Sequence, residues 1–171
     1  MNNIKENLRE LKIKKITVSE LAYIAMFIAL VALTTFIRVP GLNTSYYNLG
    51  EFMIFTVALV FGAKAGLLAG ALGSALVDLI VAPVWAPFTL IIKGFEGWLV
   101  GYVAEEGKIA KNVLALILGG HIMIVGYALT TWFLYDWPSV LPEIGGNYGQ
   151  AGFGAILALP IARQINRYLG K

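Results

Sequence analysis

The chain has no cysteine and a single histidine among its 171 residues. The lack of cysteine excludes disulfide frameworks, thiolate metal sites and cysteine catalysis, and one histidine cannot form a histidine metal cluster. Charged residues are also scarce, since they make up 13% of the chain, roughly half their share in a soluble domain. The hydrophobic share, 58%, is too large for a soluble domain of this size to bury. The composition therefore excludes a typical soluble enzyme, a disordered chain and a coiled coil, and it predicts an integral membrane protein.

Six apolar stretches follow one another along the chain, and each is interpreted as a membrane-spanning helix because a span needs about 20 residues. They cover residues 21–36, 49–62, 65–81, 87–104, 110–135 and 147–169. The sequence thus predicts an all-α integral membrane protein with six transmembrane helices in a single membrane domain, residues 1–171. In this interpretation residues 19–169 form the helix bundle. Residues 1–18 form a cytoplasmic N-terminal segment that is a candidate amphipathic helix.

The basic residues predict the orientation of the bundle. If the N terminus lies in the cytoplasm, 11 of the 13 Lys and Arg residues fall on the cytoplasmic side, and only Arg38 and Lys93 do not. This asymmetry follows the positive-inside rule, so both termini are predicted to be cytoplasmic. The net charge of +3 is therefore attributed to membrane topology rather than to nucleic-acid binding.

Aromatic and ionisable residues concentrate in the predicted outer half of the bundle. Trp85 and Trp132 belong to an excess of outward rings that is larger than an aromatic belt at both interfaces would explain. Four ionisable residues of the spans lie on the same side: Glu51, Asp78, Lys93 and Glu96. Ionisable groups within spans face a cavity or one another, so these residues either hold helices together or line a substrate site open to the outside.

Three further polar residues are candidates for this site. His121 lies midway along the fifth span, where a hydrogen bond between helices is the commoner role of a lone histidine. Asn147 and Gln150 lie three residues apart at the predicted start of the sixth span. Asn147 is also a candidate N-cap, whereas the uncharged amide of Gln150 suits a small polar ligand.

Two more segments suggest specific roles. Residues 43–47 (NTSYY) form a polar, tyrosine-bearing loop beyond the first span, which predicts a lid over an outward pocket. Ala22, Ala25 and Ala29 recur at helical spacing on the first span. Small residues allow close helix approach in lipid, so this face either packs within the bundle or docks on another membrane protein.

The sequence contains no recognisable catalytic motif. It has no glycine-rich phosphate loop ending in Lys-Ser/Thr, no defensible Ser/His/Asp arrangement and no set of metal ligands. We therefore predict no catalytic residue, no metal site and no cofactor. Two alternatives stay open at this point: an intramembrane enzyme that uses Asp78, Lys93 and Glu96 as acid and base, and a structural subunit that binds no ligand.

Several segments resemble the substrate-binding S components of energy-coupling factor (ECF) vitamin transporters. They are residues 47–51 (YNLGE), 73–78 (GSALVD) and 86–97 (APFTLIIKGFEG). Asn147 and Gln150 resemble the Asn-x-x-Gln that opens the last helix of these proteins. Ala25-x-x-x-Ala29 resembles the alanine motif with which they dock on the coupling subunit. Glu51 departs from the pattern, in which Asp is more usual.

The resemblance implies a substrate-binding subunit that captures a small vitamin or precursor outside the cell. The implied partners are a transmembrane coupling subunit and two cytoplasmic ATPase subunits, which use the ATP. The implied location is the plasma membrane of a bacterium or archaeon, with multiple spans in lipid and no nucleic acid bound. The sequence is most similar to the branch that carries pyridoxine or the hydroxymethylpyrimidine precursor of thiamine, and riboflavin is the alternative substrate.

The residue analysis and the resemblance together give two sets of candidate residues. Those for substrate binding are Tyr47, Asn48, Glu51, Asp78, Trp85, Thr89, Lys93, Glu96, His121, Trp132, Asn147 and Gln150. Those for docking on the partner are Ala22, Ala25 and Ala29.

Overall fold

The computed structural model describes residues 17–40 and 46–170 of the chain. Within these ranges the helices are α1 (Val18–Phe36), α2 (Gly50–Phe61), α3 (Ala63–Val81), α4 (Ala86–Val103), α5 (Ile109–Leu134) and α6 (Val140–Tyr168). Between α1 and α2, strands β1 (Arg38–Pro40) and β2 (Tyr46–Asn48) pair antiparallel, a feature that the all-α prediction did not include. The prediction of six helices is confirmed. Residues 1–16 of the predicted N-terminal helix and residues 43–45 of the predicted lid lie outside the described ranges.

The helices differ in how well they suit a membrane. By length and hydropathy α1, α3 and α5 can each span one. Helix α2 is apolar but has only 12 residues, and it ends at Gly62, whose φ of 83° is the left-handed conformation that glycine adopts readily. Gly62 alone connects α2 to α3, so these two helices form a tight hairpin. Helices α4 and α6 carry five of the buried polar or charged side chains: Thr89, Lys93, Glu96, Asn147 and Gln150.

The sixth helix begins seven residues earlier than predicted, at Val140. Pro142 lies in its first turn, where the missing proline N–H breaks no helical hydrogen bond. Asn147 therefore lies inside the helix, and the alternative that it is an N-cap is wrong. Its side-chain amide instead donates a hydrogen bond to Glu143, one turn earlier, at 2.9 Å.

Successive helices run in opposite directions, so the chain alternates between two ends of the bundle. We call the end with the strand pair and the α3–α4 and α5–α6 connections the β end. The opposite end carries the α2–α3 and α4–α5 connections and the C-terminal end of α6. Three apolar clusters fill the interior, one around Phe55 and Val100, one around Phe27 and Val31, and one around Ile92 and Met123.

Helices α3 and α4 cross through glycine contacts. A Cβ atom built on Gly66 would collide with the carbonyl oxygen of Gly97, and one built on Gly97 would collide with that of Gly66. One turn further along α3, Gly70 lies equally close to the backbone carbonyl of Lys93. In lipid, burial of apolar surface does not drive helix association, so close backbone packing of this kind holds the pair together. The crossing thereby fixes the position of α4, which carries Lys93 and Glu96.

A methyl group added at the crossing should separate the two helices. We expect Gly97→Ala to lower the stability of the purified protein by about 1–3 kcal/mol, because the methyl group meets the backbone of Gly66. Gly152→Ala is the matched control, since a Cβ atom on this helical glycine meets no atom within 4 Å. Thermal unfolding in detergent measures both. Equal midpoints for the two variants would contradict the packing role of Gly97.

Candidate functional site

A cavity of about 640 Å³ lies at the β end of the bundle. Of the eleven predicted binding residues whose side chains the structure describes, eight line it: Asn48, Glu51, Asp78, Trp85, Thr89, Lys93, Asn147 and Gln150. These residues come from β2, α2, α3, α4 and α6 and from the connection that precedes α4. The structure thus brings residues that are as much as 102 positions apart around one space. That they bind a substrate stays a prediction.

A buried ammonium group lies between two carboxylates beside this cavity. The Nζ atom of Lys93 bonds to the carboxylate of Glu51 and lies 2.9 Å from Oε2 of Glu96. All three residues are at least 95% buried. Charges removed from water need such partners. The sequence left two roles open for these residues, holding helices together and lining a site, and the two are compatible here. The ion pair joins α2 to α4, and Glu51 and Lys93 also line the cavity.

Local sequence explains how Glu51 reaches this position. It lies in the first turn of α2, where the helix dipole favours a negative charge. On the facing helix, Gly154 leaves room for it, because a Cβ atom there would lie 2.8 Å from the Cγ atom of Glu51. The missing side chain at Gly154 of α6 therefore provides the space that the Glu51 side chain occupies.

Asn48 connects the strand pair to two helices. Its side-chain oxygen accepts a hydrogen bond from the backbone N–H of Gly50 at the start of α2, at 3.0 Å. Its backbone N–H and side-chain amide donate to Oε1 of Gln150 on α6, at 3.3 and 3.2 Å. Gln150 and Asn48 thereby close one side of the cavity with a bond between β2 and α6.

An aromatic wall with a carboxylate at its edge forms another side of the cavity. The hydroxyl of Thr89 donates to Asp78, and the hydroxyl of Tyr127 lies 3.0 Å from Thr89, which it can reach as a donor. The ring of Trp85 packs 5.9 Å from the rings of both Tyr127 and Tyr135 and donates its N–H to the hydroxyl of Tyr135. Flat rings of this kind suit stacking on a planar ligand.

Two further predicted residues lie next to residues that line the cavity. Glu96 is fully buried behind Lys93. Tyr47 contributes its backbone to β2, in register with Val39 of β1.

The other two predicted residues lie away from the cavity. His121 lies in a separate apolar groove between α5 and α6, with Nδ1 2.7 Å from the carbonyl oxygen of Ile117 and Nε2 3.4 Å from the hydroxyl of Tyr148. Trp132 is more than half exposed on the surface of α5, where its ring packs edge-on against Trp137.

The cavity also contains side chains that the sequence analysis did not include among the site residues. They are Thr35, Ile54, Ser74, Tyr127, Ser139, Pro142 and Glu143. The position of Ser74 at the cavity could have been predicted from the sequence, because it lies one helical turn before Asp78 and shares its helix face. Glu143 has the same relation to Asn147, but it becomes visible only once α6 is known to begin at Val140.

Comparison with known proteins decides the family. The family model of the ECF-type riboflavin transporter S component matches residues 15–167. The chain belongs to this family. An uncharacterized protein of Pyrococcus woesei is 35% identical over 144 residues, which cover 83% of this chain and 97% of that protein. The thiamine precursor transporter HmpT of Lactococcus lactis subsp. cremoris is 28% identical over 156 residues, 91% of this chain and 89% of that one.

As an S component, the chain is a membrane-embedded transporter subunit and not an enzyme. The alternative in which Asp78, Lys93 and Glu96 act as acid and base is therefore wrong. In the S component Lys93 and Glu96 instead form an ion pair within α4, and Asp78 of α3 accepts a hydrogen bond from Thr89 of α4. Within the described ranges, no group of three His, Asp or Glu side chains is arranged to hold a metal ion.

The ion pairs of this S component predict a clear contrast in stability. Lys93→Met should destabilise the protein by about 3 kcal/mol or more, because it leaves two buried carboxylates without their cation. Lys108→Met is the control at the opposite end. There Lys108 and Lys111 form exposed ion pairs with Glu105, and their hydrogen bonds lower the pKa of that carboxyl. Such pairs contribute little. Similar unfolding midpoints for the two variants would contradict the role of Lys93.

Proposed function

We propose that this S component is the substrate-binding subunit of an ECF importer and that the cavity at the β end holds its substrate. The observation that supports this most strongly is the convergence of eight predicted binding residues on one cavity with aromatic and polar walls. Ligand sites of proteins are typically concave spaces of this size with a few well-placed polar groups. The chain needs no cofactor of its own in this proposal, because partner subunits hydrolyse the ATP.

The orientation of the bundle is part of the proposal. Five basic residues of the described chain lie at the opposite end: Lys64, Lys108, Lys111, Arg163 and Arg167. At the β end, the described residues include one basic residue near the ends of the helices, Arg38 at the start of β1. By the positive-inside rule the opposite end then faces the cytoplasm, with both termini. The cavity opens to the outside of a bacterial or archaeal plasma membrane.

The first choice of substrate is the hydroxymethylpyrimidine precursor of thiamine or a pyridoxine-type compound. The relative named as a thiamine precursor transporter supports it. So do the cavity walls, since Trp85 and Tyr127 suit a small aromatic ring and the nearby carboxylates of Glu51 and Asp78 suit its amino or hydroxyl donors. Riboflavin is the alternative, and the description of the matching family supports it.

Binding measurements on the purified chain test this proposal. Mass spectrometry of small molecules released on denaturation, followed by calorimetric titration, should identify hydroxymethylpyrimidine or pyridoxine as the tighter ligand. Tighter binding of riboflavin would replace the first choice with the alternative. Absence of binding by all three compounds would contradict a substrate-binding role and favour a purely structural subunit.

Loss of the Gln150 amide should weaken substrate binding. In Gln150→Ala, the cavity loses a polar group and the bond to Asn48, and a lost buried partner costs about 1–3 kcal/mol, so we expect the Kd to rise roughly tenfold or more. Gln164→Ala is the matched control, because Gln164 is exposed on the same helix towards the opposite end. Equal Kd values for both variants in calorimetric titration would remove Gln150 from the site.

The proposed partners are a transmembrane coupling subunit and two cytoplasmic ATPase subunits. Ala22, Ala25 and Ala29 are exposed along α1, towards the end that is proposed to be cytoplasmic. A second membrane helix can approach such a small-residue face closely. We propose this face as the docking surface for the coupling subunit.

A bulky side chain on this face should block docking and leave substrate binding intact. We expect Ala25→Trp to prevent co-purification with the coupling subunit and to abolish uptake in cells, while the Kd for substrate stays unchanged. Leu30→Trp is the control, because Leu30 is partly exposed on a different face of α1. Normal co-purification and uptake by Ala25→Trp would contradict the assignment of this face as the docking surface. Loss of substrate binding in Ala25→Trp would show that the face packs within the bundle.

A further inference from the structure

The walls of the cavity offer more hydrogen-bond acceptors than free donors. Its carboxylates accept side-chain bonds from within the protein, among them Glu51 from Lys93, Asp78 from Thr89, and Glu143 from Asn147. A carboxylate has two oxygens and about four acceptor positions, so acceptor capacity remains. The donors are largely used, since Trp85 donates to Tyr135 and the amide of Asn48 donates to Gln150. A ligand that complements these walls must itself be rich in donors.

The charges at the cavity are also unbalanced. Three carboxylates line it against the single ammonium group of Lys93, and Glu96 shares that ammonium group from behind. The Oε1 atom of Glu51 has no hydrogen-bond partner among the described residues, although Glu51 is 99% buried. Tyr127, also on the wall, adds a neutral phenol. Besides Lys93, the described backbone places one basic residue at this end, Arg38, whose strand pairs with Asn48.

Excess negative charge in a cavity walled by helices is unfavourable, because the low-dielectric walls screen it less than bulk water does. A positive charge in the ligand relieves this repulsion, and nearby carboxylates favour the charged form of a base. A pyrimidine or pyridine ring becomes such a cation when its ring nitrogen gains a proton. The protonated ring then also supplies an N–H donor to the walls.

We infer that this cavity takes its ligand as a cation, a pyrimidine or pyridine protonated at the ring nitrogen, with its N–H groups donating to Glu51, Asp78 and Glu143. The inference rests on the proposed function and specifies the chemical class of the substrate. The accompanying step is a proton transfer, in which the N–H bond of the ring forms as an O–H bond of a hydronium ion breaks and leaves water, and no other bond changes. Phosphate esters of the same compounds are disfavoured, because they bring further negative charge to the carboxylates.

Nitrogen NMR of the bound ligand tests the inference directly. The probe is hydroxymethylpyrimidine labelled with nitrogen-15 in its ring, added to the intact purified chain at a pH where the free ring is neutral. We expect the ring nitrogen of the bound probe to show the shift that the free compound shows only after acidification. A neutral-ring shift in the bound probe would overturn the inference.

A variant identifies the carboxylate that holds the charge. Glu51→Gln should weaken probe binding at least tenfold and reduce the protonated-ring signal, while Lys93 keeps Glu96 as its ion-pair partner, so the bundle retains a balanced pair. Glu106→Gln is the control, because Glu106 is exposed at the opposite end. If Glu51→Gln does not fold, Glu143→Gln at the rim of the cavity takes its place with the same expectation. Unchanged binding and an unchanged signal in the folded variants would overturn the assignment to these carboxylates.

The outcomes separate this inference from the proposed function. If hydroxymethylpyrimidine or pyridoxine binds with a neutral ring, the inference is wrong and the proposed function stands. If only riboflavin binds, whose ring system is not protonated near neutral pH, the inference is wrong and the alternative substrate is supported. If none of these compounds binds, both the inference and the proposed function are wrong.

Discussion

The ion pairs between Lys93 and its two carboxylates constrain the rest of the bundle. An ammonium group buried among helices is tolerable only with partners in contact, and the partners come from different places in the chain. Glu51 belongs to α2, Glu96 belongs to α4 itself, and the sulfur of Met123 on α5 lies 2.7 Å from the same nitrogen. Gly154 of α6 packs against Glu51. Four helices therefore depend on the placement of one side chain.

Because of this dependence, the glycine crossing of α3 and α4 affects the ion pairs of Lys93 as well as the packing of the two helices. The position of Lys93 depends on how closely α4 approaches its neighbours, and Gly70 lies against the backbone of Lys93 itself. A wider crossing would displace the ammonium group from Glu51 and would also move Thr89 away from Asp78. Small residues on α3 and charged residues on α4 are thus two parts of one arrangement, although they are separate patterns in the sequence.

The sequence predicted the positions of many residues along the helices, but it did not predict the direction in which their side chains point. Hydropathy gives the depth of a residue along a span, and it correctly predicted six helices. It does not give the direction in which a side chain points around the helix axis, so Trp132 and His121 share the predicted region of the site but lie on other faces. The start of α6 was wrong because proline and glycine near residue 142 are typical of loops, and Glu143 was missed as a result. Three-residue strands such as β1 and β2 are too short to produce an alternating pattern.

The one-residue connection at Gly62 has a mechanical consequence. The short connection leaves α2 and α3 side by side, and Gly66 and Gly70 of α3 pack against Ala58 and Ile54 of α2, so the paired helices hold Glu51 and Asp78 together at the cavity. Gln150 and Glu143 lie on α6, which a longer connection joins to α5. The cavity therefore has one wall on the closely packed α2–α3 pair and a second wall on α6. Substitutions on α6 can therefore change the width of the cavity and leave the spacing of Glu51 and Asp78 on the α2–α3 pair unaltered.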